Sequence, residues 1–260
     1  MSSQQPIYFM HIAKTAGSYI NKLFVDALGE DACVLHAEHN LRDEHDKERA
    51  IRSAAGGDEI RFISGHIYHH DWLHSCADDA YRFYQIATVR EPIAHLASHI
   101  QWLDHYNRPD KRQQYNNLSL PLQKLVDDIG RLDFESVGDL DAFLSSLSGT
   151  AVQMLDNCQS RYFLCGYSSN IQRTDALDLS SVNELSTAVD KFDLIFTLDN
   201  LANAIDIIRS QTGISLAPLE SRVNTAKSNR TIDINNKVVR SVLSKRSLVD
   251  QWLWRSVVSS

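Results

Sequence analysis

The sequence feature that most restricts the fold is a short β-prone run that enters a small polar loop and leaves it as a helix. Ile7–Ile12 (IYFMHI) reads as a strand and AKTAGS as a tight loop. In the following YINKLFVDALG, Ile20, Leu23, Phe24 and Ala27 recur at helical spacing and Gly29 ends the segment. The same order recurs downstream. Tyr81–Val89 predicts a strand, Arg90-Glu91-Pro92 a turn, and 93–105 a helix with Pro92 at its first position. Further strands are expected at Arg61–Ser64 and Asp193–Leu198, and helices at Leu201–Thr212 and Lys237–Val258. Strands alternating with helices predict an α/β fold, a mostly parallel sheet flanked by helices. The stretch 107–148 carries amphipathic runs and no strand signal. It is expected to be a helical insertion or lid within a single domain spanning 1–260.

Composition narrows the partners. The chain has 260 residues, 43% hydrophobic and 23% charged, enough for one large core. A formal charge of −7, from 26 basic and 33 acidic residues, discourages nucleic acid and anionic membranes. The basic residues of Arg108–Arg112 and Lys227–Arg230 are candidates for a local cleft. No run approaches the ~20 apolar residues of a membrane span, and the N-terminus lacks the pattern of a signal peptide. A soluble, cytoplasmic chain is expected. Cys33, Cys76, Cys158 and Cys165 form no C-x-x-C pair, so reduced thiols are expected.

A loop that opens a helix presents unpaired backbone N–H groups and the positive end of the helix dipole, a seat for phosphate or sulfate. Here Lys14 adds a mobile charge, Thr15 and Ser18 add hydroxyls, Gly17 permits close backbone approach, and the amides from Thr15 through Ala16 to Tyr19 complete the donor set. A plain βα turn with a surface lysine satisfies the same pattern. The triphosphate-binding pattern Gly-x-x-x-x-Gly-Lys-Ser/Thr is absent, because the lysine precedes the glycine.

HIAKTAGSYINKLF resembles the 5′-phosphosulfate-binding segment of sulfotransferases that use 3′-phosphoadenosine-5′-phosphosulfate (PAPS). It is most similar to the branch with a HIPKTAGT signature, which includes the heparan sulfate 2-O- and 6-O-sulfotransferases and bacterial relatives. Ala13 stands where that branch has proline, and Ser18 where it often has threonine. The family also carries an arginine at a strand end and a serine eight residues on, for the donor's 3′-phosphate. Arg90 and Ser98 in ATVREPIAHLASHIQW have that separation, and a guanidinium fork with a nearby hydroxyl suits a phosphate. LAPLESRVNTAKSNR resembles the segment that closes over the nucleotide, with Arg222, Asn224 and Thr225 as its candidates. DNCQSRYFLCG resembles another stretch of the branch, with Arg161 at its centre and no role assigned.

The resemblance implies a P-loop-NTPase-like sulfotransferase fold with PAPS as donor and 3′-phosphoadenosine-5′-phosphate (PAP) as product. It also implies an acceptor hydroxyl of the carbohydrate or glycoconjugate class. Such a transfer needs charge stabilisation, given to Lys14, and a base titrating near neutrality. His66 follows the strand at Arg61–Ser64 through Gly65, which puts it at the carboxyl edge where ligands bind in open α/β sheets. The Gly-His pair also resembles the one carrying the base in the 2-O branch, and His69 or His70 are the alternatives. The leaving group is a phosphate, so no metal is expected. His66, His70 and His74 would share a face only on one continuous helix, which Gly65 opposes. Two competing readings are a nucleotide kinase or NTPase, which would need the missing glycine pattern, and a PAP-binding module without catalysis.

Overall fold

Every residue of β1 (Ile7–Met10) is fully buried, as the central strand of a sheet covered on both faces must be. The computed structural model describes residues 5–36, 60–218 and 230–259. With β2 (Cys33–Leu35), β3 (Phe62–Gly65), β4 (Tyr84–Thr88) and β5 (Leu194–Phe196), β1 forms a five-stranded sheet of order β2-β3-β1-β4-β5. All pairs are parallel, with Met10 opposite Gly65 on one side and Ala87 on the other. The expected α/β fold with a parallel sheet between helices is therefore present.

The alternation of side chains along β1 divides the core in two. Ile7 and Phe9 face α1 (Gly17–Leu28), meeting Ile20, Leu23 and Phe24. Tyr8 and Met10 face the other side, with Trp72 of α2 (His69–Cys76) and residues of more distal helices. There the Tyr8 and Trp72 rings stack at 3.8 Å and 2°. Burying each such side chain stabilises by roughly 1.5–3 kcal/mol.

After β4 comes α3 (Pro92–Asp104), with Pro92 in its first turn and the Glu91 carboxylate accepting from Ala94 N at 2.6 Å. The chain then runs through helices only: α4 (Arg112–Asn116), α5 (Leu120–Gly130), α6 (Val137–Ser145), α7 (Thr150–Leu155) and α8 (Cys158–Leu164). Apolar residues of α5 and α6 pack with Ile93, Leu96, Ile100 and Leu103 of α3 and with α11 (Lys237–Ser244) in a third cluster away from the sheet. The remaining helices among the described residues are α9 (Val182–Val189), α10 (Leu201–Thr212) and α12 (Leu248–Ser259). No helix among the described residues is long and apolar enough to cross a membrane.

The element boundaries depart from expectation where tertiary partners intervene. The strand expected from Tyr81 begins at Tyr84, because Ala77–Arg82 coil as a 3-10 turn. The strand expected through Ile12 ends at Met10, and that expected over Asp193–Leu198 keeps only its central three residues. The single helix expected over Lys237–Val258 is two. Asn157 Oδ1 accepts from Val249 N and Asp250 N and starts α12 anew. Reciprocally, the Asp250 carboxylate accepts from the Ser160 amide and hydroxyl, both at 2.7 Å. Burial pushes that carboxyl up to about 6.

Arg161, which the sequence left without a role, is completely buried in this same region. Its guanidinium binds Asp156 Oδ2 and the Asp156 carbonyl, both at 2.6 Å, and the Arg173 carbonyl at 3.1 Å. A buried charge so fully bonded is a framework element.

Candidate functional site

The AKTAGS loop leaves the carboxyl end of β1 with two non-glycine residues in the left-handed region, Lys14 at φ 66 and Ala16 at φ 70. Each costs on the order of 1–2 kcal/mol and persists only where the surroundings enforce it. Left-handed residues of this kind are the backbone from which anion-binding nests are built. Among the described residues, the amides of Ala16, Gly17 and Ser18 donate to no backbone acceptor. The amides at the two ends of the expected donor set differ: that of Thr15 donates to the Ile12 carbonyl at 3.4 Å and that of Tyr19 to the Ala16 carbonyl at 2.9 Å, which removes both from it.

Two residues of the loop also do something other than expected. Thr15 is 2% exposed, and its hydroxyl lies 2.8 Å from both the Ile12 carbonyl and Thr88 Oγ1. That hydroxyl is spent on the protein, so Thr15 shapes the loop and offers no side-chain donor to a ligand. Gly17 is required by a neighbour. A Cβ there would lie 1.9 Å from His11 Cδ2, so the buried His11 ring occupies the space of any larger residue. Ser18 and Tyr19 are half-buried.

Lys14 of the first motif and Arg90 and Ser98 of the second, predicted from separate places in the chain, line one pocket of about 220 Å³ with Ala94, Gln101 and Trp102. That volume falls below the roughly 300–1,000 Å³ of a pocket enclosing a whole drug-sized ligand, and suits the charged end of one. The cause is topological. β1 and β4 are adjacent and parallel, so the loops at their carboxyl ends meet. Arg90 is fixed through its backbone, its amide donating to Gln159 Oε1 at 2.8 Å and its carbonyl accepting from Gln159 Nε2 at 3.0 Å. Its side chain donates to the Lys14 carbonyl at 3.4 Å.

The pocket is electropositive. Glu91 beside it caps α3 and binds Arg240 at 3.1 Å, so that it acts on Arg90 only from a distance, and among the described residues neither Lys14 nor Arg90 forms a close ion pair. Partial burial, and then Arg90, hold the Lys14 ammonium below its ordinary value. Its Nζ stands 5.8 Å from the centre of the Trp102 ring, within cation–π range. Trp102 and Gln159 escaped the sequence reading. For Trp102 the signal existed, since 94, 98, 101 and 102 share one face of the predicted helix. For Gln159 there was none.

His66 lies one strand over, at the end of β3, and does not line this pocket. Its Nδ1 is 2.6 Å from the His11 carbonyl. A carbonyl only accepts, so Nδ1 carries the proton and Nε2 holds the lone pair. The His11 and His66 rings stand 4.2 Å apart, with His36 beyond them. The alternatives to His66 fare differently. His69 is 1% exposed, packed on Phe192, and burial pushes it down to about 3, so it cannot serve as an accessible base. His70 is half-buried with Nδ1 3.3 Å from Ser168 Oγ. His66 lies before the helix that carries His70 and His74, so those three form no common helical face.

Arg222, Asn224 and Thr225 lie outside the described residues, as does Lys227. Of the basic cleft candidates, Arg108 pairs with Asp110 at 3.0 Å and Arg230 with Asp104 at 2.8 Å. The four cysteines are free thiols. Among the described residues, two sets of ligand-type side chains have their donor atoms within 4.8 Å of one another: His11, His36 and His66, and His95, His99 and Cys158. No protein-family model matches this chain, and no curated protein matches it.

Proposed function

We propose that this chain is a sulfotransferase that moves a sulfuryl group from PAPS to an acceptor hydroxyl, of the carbohydrate or glycoconjugate class. The observation that carries this reading is the convergence of Lys14, Arg90 and Ser98 on one electropositive pocket beside a loop with two left-handed residues. A donor with a 5′-phosphosulfate and a 3′-phosphate has two separate anionic groups, and the two loops offer two separate cations. A nucleoside triphosphate would call for the glycine pattern that the loop lacks.

In this reading the acceptor oxygen attacks sulfur, and the bond from sulfur to the bridging oxygen of the 5′-phosphate breaks. Negative charge grows on that phosphate as PAP departs. Lys14 and the amides of Ala16, Gly17 and Ser18 stabilise it. The acceptor proton passes to His66 Nε2, the nitrogen that the His11 carbonyl leaves unprotonated. Loose in-line transfer of this kind depends on positioning and charge.

Thermal unfolding in the presence of PAP tests the reading. Binding to the native state alone raises the unfolding temperature, by about 2.7 kcal/mol of stability at a hundred times Kd. A chain whose unfolding is unmoved by PAP is no sulfotransferase.

A further inference from the structure

Behind the AKTAGS loop lies the second ligand-type cluster. His95 and His99 stand four apart on α3, so both imidazoles occupy one face of that helix, the spacing of a metal-binding histidine pair. Cys158, the first residue of α8, faces them from across the core. The three are 1%, 1% and 5% exposed.

Both ring nitrogens of His99 are buried without a hydrogen-bond partner among the described residues. A buried polar group in that state needs an explanation, and an ion is one of the few that serve. His95 Nε2 donates to the Ala13 carbonyl at 2.8 Å, so its Nδ1 carries the lone pair. A histidine that gives its outer N–H to a backbone carbonyl is arranged as metal-bound histidines are.

We propose that His95, His99 and Cys158 bind a borderline-soft divalent transition ion of the zinc class. Binding replaces the thiol proton: the Cys158 sulfur lone pair forms the bond to the metal and one proton leaves to solvent. Two neutral imidazoles and one thiolate then leave a net charge of one. The buried Asp250 carboxylate, held by the amides of Gln159 and Ser160 next to Cys158, stands near to offset it. Bond lengths of about 2.0–2.1 Å to nitrogen and 2.3 Å to sulfur need donor atoms roughly 3.3–3.7 Å apart, and the three donor atoms already lie within 4.8 Å of one another.

The ion takes no part in the proposed transfer. It fixes the His95 ring against Ala13, the residue before Lys14, and so anchors the base of the loop. The His11, His36 and His66 set carries less. It has no thiolate, and its His66 is assigned to proton transfer.

The test uses the full chain, stripped with chelator and titrated with cobalt(II) chloride. One equivalent should bind with thiolate-to-cobalt charge-transfer absorption. One proton should be released, and zinc(II) should bleach the colour. Cys158→Ser should lose the charge-transfer band while His66→Asn keeps it. X-ray absorption of the zinc-loaded wild-type chain needs no variant, and should show one sulfur at about 2.3 Å with nitrogen near 2.0 Å. An absence of charge-transfer absorption in the folded wild-type chain, a band that survives Cys158→Ser, or a zinc shell of nitrogen alone overturns the proposal.

Discussion

The hydroxyls of Thr15 and Thr88 lie 2.8 Å apart, and Thr88 Oγ1 is also 3.1 Å from the Thr15 carbonyl. Two side chains 73 positions apart thereby tie the loop after β1 to the end of β4, and Lys14 and Arg90 stand beside this tie. Replacing either threonine by valine keeps the shape and removes the bond. Each single change should cost about 0.5–1.5 kcal/mol, the net worth of the lost bond, because the hydroxyl that remains keeps a carbonyl acceptor, Ile12 O for Thr15 and Thr15 O for Thr88. The double change should cost less than the sum, by on the order of 1 kcal/mol. Denaturant unfolding of the four proteins measures this, and strict additivity would refute the coupling.

Gly17 and His11 predict a rescue. Gly17→Ala places a methyl group within 1.9 Å of the imidazole and should destabilise by about 1–3 kcal/mol or more. Adding His11→Ala opens the space, so the double variant should be more stable than Gly17→Ala alone. If Gly17→Ala is harmless, the ring is not what demands the glycine.

The loop lysine and the strand-end histidine should separate in their effects. Lys14→Ala should abolish most of the stabilisation by PAP and lower acceptor-dependent turnover by roughly 10²–10³-fold. His66→Ala should lower turnover by about 10²–10⁴-fold and leave PAP stabilisation intact, because His66 lies outside the pocket. Turnover unchanged in His66→Ala would exclude it as the base.

Asp156 and Arg161 form the most costly pair to break. Asp156→Ala leaves a completely buried guanidinium without its carboxylate and should destabilise by about 3–5 kcal/mol. The replacement of both by apolar residues should recover part of that loss. Equilibrium unfolding of the two variants decides it.

His69 gives the pH dependence a sign. Its burial holds the folded-state value at about 3, against 6.5 for an ordinary imidazole. The unfolded chain therefore binds a proton that the folded chain refuses. Stability from this group is full above about pH 6.5 and is lost as the pH falls towards 3, by up to about 4 kcal/mol. His69→Phe should flatten the acid limb of a stability-against-pH curve. An acid limb identical to that of the wild type would show that His69 does not contribute.

Local chemistry alone determined much of this protein. The alternation of β-prone runs with helical periodicity predicts the parallel α/β sheet, and it puts Lys14, Arg90 and His66 at strand ends because those signals depend only on neighbours in the chain. Gly29 ends α1 with φ 84, a left-handed backbone that its lack of Cβ permits. The three-residue β2 was too short to leave a periodicity, and the break before α12 depends on Asn157, 92 residues away.

The tertiary structure decided what those local elements do. The strand order is a matter of long-range pairing, and it seats β1 beside β4, so that Lys14, Arg90 and Ser98 share a pocket while His66 falls one strand away. It also reassigned Thr15 from ligand donor to loop tie and Gly17 from ligand contact to the room His11 needs. Periodicity reports which face of an element is apolar. Which distant side chain fills that face is settled only when the core closes, and there the loop acquires its shape.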